Sequence, residues 1–146
     1  MIIVMDCPEC GASAKACESR FQELLAREFA DPGFGAVHHL TVTAYMLQHS
    51  SKLSREGWLW ERELLRAFLV EDKTPAVVRK QTRGAMDSGR RRFKIRSTGG
   101  QPLFEKRAWA KTILDVRTGR ADLYCEDVAA WAKAVLDEAE AIVTPG

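Results

Sequence analysis

Long apolar runs are missing from this 146-residue sequence. Stretches such as MIIVM and AFLV fall far short of the roughly 20 residues that a membrane helix needs. The opening MIIVMDCP has neither a basic start nor a small-residue cleavage site, so no signal peptide is expected. Cysteine is also sparse, with four in the chain, too few for a secreted scaffold held together by disulfides. Together these absences point to a reducing, cytoplasmic compartment and argue against a membrane. No HExxH, phosphate-binding glycine loop or serine–histidine–acid order occurs, which removes the familiar hydrolase and nucleotide-binding signatures. There is no internal repeat. Histidine is scarce too, at three residues, so each one counts as a candidate ligand.

What is present is enough apolar material for a core, at 46% of residues, and a strongly helical pattern. The length suits one domain over residues 1–146. Phe21, Leu24, Leu25, Glu28 and Phe29 recur at helical spacing after Cys17. Asp31 to Gly35, DPGFG, breaks that helix. A second helix follows from about Ala36 to His49, apolar around most of its circumference and therefore expected to be buried. Ser54 is a good N-cap for a third helix carrying Trp58, Leu59, Leu64, Leu65, Phe68 and Leu69. Thr74 and Pro75 open a fourth, expected to be interrupted near Gly84 or Gly89. TILDV, residues 112–116, reads as a strand or a short helix. Tyr124, Val128, Trp131, Val135, Ala139 and Ile142 mark a long final helix from about Ala121 to Val143. The expected fold is all-α or nearly so: about five helices in a bundle, with a cysteine turn over 1–17 packed on a helical hairpin over 17–50. The remaining helices occupy 54–146, with an irregular basic stretch at 89–120.

Three of the four cysteines lie within Met5–Cys17, MDCPECGASAKAC. Cys7-Pro8-Glu9-Cys10 reads either as the redox pair of a thioredoxin-like fold or as a zinc knuckle. The first requires further strands, which a helical chain lacks. Gly11 favours the second, because backbone amides must turn toward the sulfurs and glycine permits the positive φ this can demand. A structural zinc takes four ligands, and the pair supplies two. The remaining candidates are Cys17, His38, His39, His49 and Cys125. Two helices joined by a short proline–glycine turn pack antiparallel, which brings the start of the first beside the end of the second. Cys17 and His49 then meet next to the knuckle. His38 lies eleven residues before His49, about 16 Å along a continuous helix, and cannot share its metal. The expected zinc site is Cys7, Cys10, Cys17 and His49. Cys125, on the final helix, is expected to be simply buried.

The same residues resemble an uncharacterised bacterial family, a domain of unknown function. The likeness rests on the CPxCG start and on an HxLTVxAYxxQH helix, here His38 to His49, and it extends over most of the chain. Members of that family often carry proline after the last histidine, where this chain has Ser50. The resemblance implies an arrangement and no activity.

Two further features bear on function. His38, Thr41 and Tyr45, spaced i, i+3, i+7, can line a polar pocket between the first two helices. Residues 79–96 hold eight basic side chains against Asp87, a segment of +7 in a chain of +2, leaving −5 elsewhere. Within it Arg90, Arg91, Arg92, Lys94 and Arg96, interleaved with Phe93, are candidate nucleic-acid contacts; a solvated basic loop is the competing reading. Three functions are therefore carried forward: a zinc-stabilised binding module of unknown partner, a nucleic-acid-binding regulator, and a small metal-dependent enzyme with an open coordination site.

Overall fold

The computed structural model describes residues 6–13, 16–87, 100–105 and 108–142, with backbone alone at 82–87. Six α-helices lie among them: α1 (Ala16–Ala30), α2 (Pro32–Gly35), α3 (His38–Gln48), α4 (Arg55–Leu69), α5 (Pro75–Asp87) and α6 (Ala121–Ala141). Short 3-10 turns at Ser50–Lys52 and Ile113–Asp115 join them, and no strand occurs among the described residues. No described helix is long and apolar enough to cross a membrane. The five longer helices are the five expected; α2 is a single extra turn.

That extra turn is where local chemistry overrode the expected break. The Asp31 carboxylate accepts the Gly33 N–H at 2.8 Å, and Pro32 sits at the first helical position with its φ already set. The second long helix consequently starts at His38, two residues later than the sequence pattern suggests. Ser54 caps α4 by accepting from the Gly57 N–H at 2.9 Å. The Thr74 hydroxyl caps α5 by accepting from the Val77 N–H. Gly84 does not interrupt α5, which continues to Asp87; one glycine costs a helix only about 1 kcal/mol. Gly89 lies outside the described residues. TILDV resolves into a 3-10 turn closed by a reciprocal cap between Thr112 and Asp115.

α3 runs through the centre, packed against α4 on one side and α6 on the other. Trp58, Trp131, Tyr124, Leu47 and Leu65 are fully buried around it. Two indole N–H groups in this core are satisfied: Trp58 donates to the Leu47 carbonyl at 3.1 Å and Trp131 to Gln48 Oε1 at 3.1 Å. Gln48 passes the connection on, its Nε2 donating to the Lys111 carbonyl at 2.7 Å. A buried amide thus ties α3 to α6 and to the segment leading into Ile113.

α1 lies antiparallel to α3. Cys17 sits by His49, Phe21 stacks on Tyr45 with ring centroids 3.9 Å apart, and Glu28 meets His38. Each step along α1 is matched by one backward along α3, which is the pairing the hairpin argument requires. Of the residues recurring at helical spacing along α1, Phe29 is 83% exposed, and Glu28 beside it is buried.

Gly35 allows the return from α1 to α3. A Cβ there would stand 2.7 Å from the Glu28 carbonyl oxygen, a backbone atom that cannot swing away. Gly35→Ala is expected to cost about 1–3 kcal/mol, as other overpacked substitutions do. The measurement is the urea midpoint, and an unchanged midpoint would show that the turn shifts freely.

Candidate metal centre

Pro8 to Cys10 form a turn closed by two backbone hydrogen bonds, Gly11 N–H to the Cys7 carbonyl at 3.0 Å and Cys7 N–H to the Ala12 carbonyl at 2.8 Å. Gly11 has φ of 82°, the left-handed region that glycine occupies without strain. The turn leaves the Ala12 N–H 3.4 Å from Cys10 Sγ, a backbone amide directed at sulfur. Cys17, in the first turn of α1, and His49, just after α3, close over it.

The three Sγ atoms and a ring nitrogen of His49 all lie within 4.8 Å of one another, and all four residues are buried. No disulfide links the cysteines. His49 has its Nδ1 2.7 Å from the Tyr45 carbonyl, which can only accept, so Nδ1 carries the proton and Nε2 the lone pair. That Nε2 is buried with no hydrogen-bond partner. A buried acceptor left unpaired costs about 1–3 kcal/mol. Here it faces three thiols, and a metal ion would satisfy all four groups at once.

Electrostatics agree with that chemistry. Burial holds the His49 imidazole below the ordinary histidine range, leaving it neutral and able to ligate. Burial also pushes the Cys10 and Cys17 thiols up. At Cys7 the same penalty is overcome by the backbone N–H groups of Cys10 and Glu9, so this thiol titrates lower than usual. Three thiols gathered out of water are a costly arrangement by themselves. A bound cation reverses the cost, because it stabilises the thiolates outright.

Tyr45 stacks on His49 at 4.1 Å between centroids, continuing the stack from Phe21. Glu9 does not point a free carboxylate at the site: Oε1 accepts the Ser51 N–H at 2.8 Å and Oε2 the Ser51 hydroxyl at 2.7 Å. Its carbonyl accepts the Trp109 indole N–H at 3.1 Å, and the Ser50 hydroxyl accepts the Leu103 N–H at 2.9 Å. The cysteine turn therefore anchors Trp109 as well as the α1–α3 hairpin, and the neighbouring Ser50 anchors Leu103.

The other sequence-derived candidates are dispersed. His38 and Thr41 converge on Glu28, while Tyr45 stands at the opposite end of the hairpin beside His49. His39 packs edge-on against Phe68 of α4 at 4.7 Å. Cys125 is half-buried rather than buried, its thiol donating to the Gly33 carbonyl at 3.3 Å, away from the other three cysteines. Arg90, Arg91, Arg92, Lys94 and Arg96 lie outside the described residues. Sequence reasoning missed Glu28 as a polar centre; the available signal was a glutamate standing four residues after Leu24 on an apolar helical stripe.

Neither a curated protein nor a solved structure matches the chain. A family does match, over residues 5–140, from just before the cysteine turn to the end of α6, and so includes all four clustered residues. The chain belongs to this family, a family of unknown function (DUF5946).

Proposed function

We propose that this chain is a zinc-stabilised binding module, with Cys7, Cys10, Cys17 and His49 holding one structural Zn2+. The observation that carries the reading is the buried, unpartnered Nε2 of His49 facing three thiols. Three sulfurs and an imidazole are a preferred donor set for zinc, with Zn–S about 2.3 Å and Zn–N about 2.0 Å. Four protein donors also fill the tetrahedron, whereas an enzyme keeps one position for water. The ion then serves the fold, and reduced thiols of this kind suit a reducing, cytoplasmic compartment. Binding is the role we assign to its surface, where exposed apolar groups such as Phe29 and Val70 offer area for a partner.

Elemental analysis of the purified protein is expected to give one zinc per chain. Thiol reagents are expected to modify Cys7, Cys10 and Cys17 slowly until a chelator is added. Rapid labelling of the untreated protein would instead favour a reactive dithiol.

A nucleic-acid-binding role is the second reading. It draws support from Arg79 and Lys80, exposed on α5 where the basic segment begins. On that reading, affinity for DNA or RNA falls steeply with salt as counterions are released. Replacing Arg90, Arg91 and Arg92 by alanine then weakens unrelated sequences about equally. Affinity indifferent to salt would remove the idea.

A further inference from the structure

At the end of the α1–α3 hairpin away from the cysteines, Glu28 is a carboxylate with 1% of its side chain exposed. Three groups from two other helices converge on it. His38 Nδ1 lies 2.7 Å from Oε1, the Thr41 hydroxyl donates to Oε2 at 2.6 Å, and the Tyr124 hydroxyl of α6 also donates to Oε2. Burial, reinforced by the bond to Glu28, holds the Tyr124 phenol above its ordinary range, so its proton remains available for donation.

The carboxylate fixes the histidine as well. With Oε1 accepting from Nδ1–H, the lone pair of the ring resides on Nε2. The His38 side chain is 44% exposed, and among the described residues Nε2 has no hydrogen-bond partner. Thr41 and Tyr124 pin the three helices together through Oε2, and His38 Nδ1–H satisfies Oε1. The Nδ1 side of the ring completes that clip, while the Nε2 side takes no part in it and faces outward with a free lone pair, which is what a nucleophile requires. The Phe29 ring lies 5.7 Å from the His38 ring and is 83% exposed, and His39 next to it packs on Phe68. Burial, with His38 adjacent, keeps His39 below the usual histidine range and hence uncharged at neutral pH.

We propose that His38 and Glu28 form an acyl-transfer site for neutral esters, with His38 Nε2 as the nucleophile, Glu28 as the positioning residue and Phe29 as the rest for an apolar acyl group. The Nε2 lone pair attacks the ester carbonyl carbon and an N–C bond forms. The C–O bond to the leaving group breaks, and the alkoxide or phenolate departs with the electron pair. Water then cleaves the acyl–imidazole bond, giving a carboxylic acid and restoring the ring, with the net proton passing to the leaving group or to solvent. Glu28 holds the ring in one tautomer and offsets the positive charge that develops on it during attack. The same negative charge disfavours anionic substrates, and the Phe29 ring favours apolar ones.

The test is hydrolysis of p-nitrophenyl acetate and p-nitrophenyl phenylacetate by the full chain with its metal content measured. The protein is expected to exceed free imidazole at equal concentration by about tenfold or more, a modest share of what positioned proton-transfer and nucleophilic groups supply. His38→Ala removes that excess while metal content is unaltered. Glu28→Gln lowers kcat about tenfold or more with KM unchanged, and ring 15N NMR shows the single Nδ1–H tautomer of His38 replaced by a mixture. Phe29→Ala raises KM for the phenylacetate more than for the acetate. A wild-type rate equal to that of imidazole, or full activity in His38→Ala, overturns the proposal. Should Glu28→Gln fail to fold, His38→Ala and Phe29→Ala decide the matter. Full activity in a folded Glu28→Gln overturns the role assigned to Glu28.

Discussion

Stripping the proposed zinc from this protein is expected to loosen one end of it and leave the centre standing. Hydrogen exchange after chelation should accelerate in the cysteine turn, the first turn of α1, the end of α3, and at Leu103 and Trp109. It should change little in the middle of α4 and α6. The reason is connectivity. Cys7 and Cys10 hold the turn, and the turn holds Ser51 through the Glu9 carboxylate and Trp109 through the Glu9 carbonyl. Trp58, Trp131 and Gln48 are buried in a core with its own contacts and supply no ligand. Zinc binding in small domains is worth about 10–16 kcal/mol of apparent free energy, so the effect at that end is large. Losing an outer-shell partner costs about 10–100-fold in metal affinity, and loss of a direct ligand exceeds that. His49→Ala is therefore expected to weaken zinc by more than about 100-fold, while His38→Ala, on the far side of the hairpin, leaves affinity unchanged. Equal effects from the two substitutions would refute the assigned ligand set. Uniform unfolding on chelation would show instead that the α3–α4–α6 core depends on the metal.

Trp131→Ala is expected to produce the largest loss of stability of any single core change. The side chain is fully buried, and truncating such a residue costs about 3–5 kcal/mol. The substitution also removes the donor to Gln48 Oε1, and a buried acceptor left unpaired adds about 1–3 kcal/mol. Against a typical total of about 5–15 kcal/mol, that brings the chain close to unfolding at physiological temperature. Trp131→Phe separates the two contributions, since most of the volume stays and only the N–H is lost; a cost of about 1–3 kcal/mol is expected. Phe29→Ala, at a position 83% exposed, should fall within about 0.5 kcal/mol of wild type. Urea unfolding followed by circular dichroism measures all three. A Trp131→Phe variant as stable as wild type would show that Gln48 finds another donor.

The helical character, most helix starts and the four clustered residues were legible in the sequence because each depends on local or nearly local chemistry. Ser54 and Thr74 cap their helices wherever the chain goes. The CPxCG turn closes on itself, with Gly11 supplying the one positive φ it needs. Even the meeting of Cys17 with His49 followed from helix length and a short turn, since two antiparallel helices of known rise leave little freedom in which ends touch. Other features had no local signature. Glu28 and Phe29 are neighbours on one helix, and both recur at helical spacing. Only the packing of α1 against α3 and α6 determined that the carboxylate turns inward to Thr41 and Tyr124 while the phenyl ring stays outside. The clip through Gln48 joins residues 63 and 83 positions apart in the chain, a separation no sequence pattern records. The unpartnered Nε2 of His49 belongs to the same class: the sequence supplied the histidine, and the tertiary fold made its lone pair an obligation, by excluding water from one side of the ring and giving the other to the Tyr45 carbonyl.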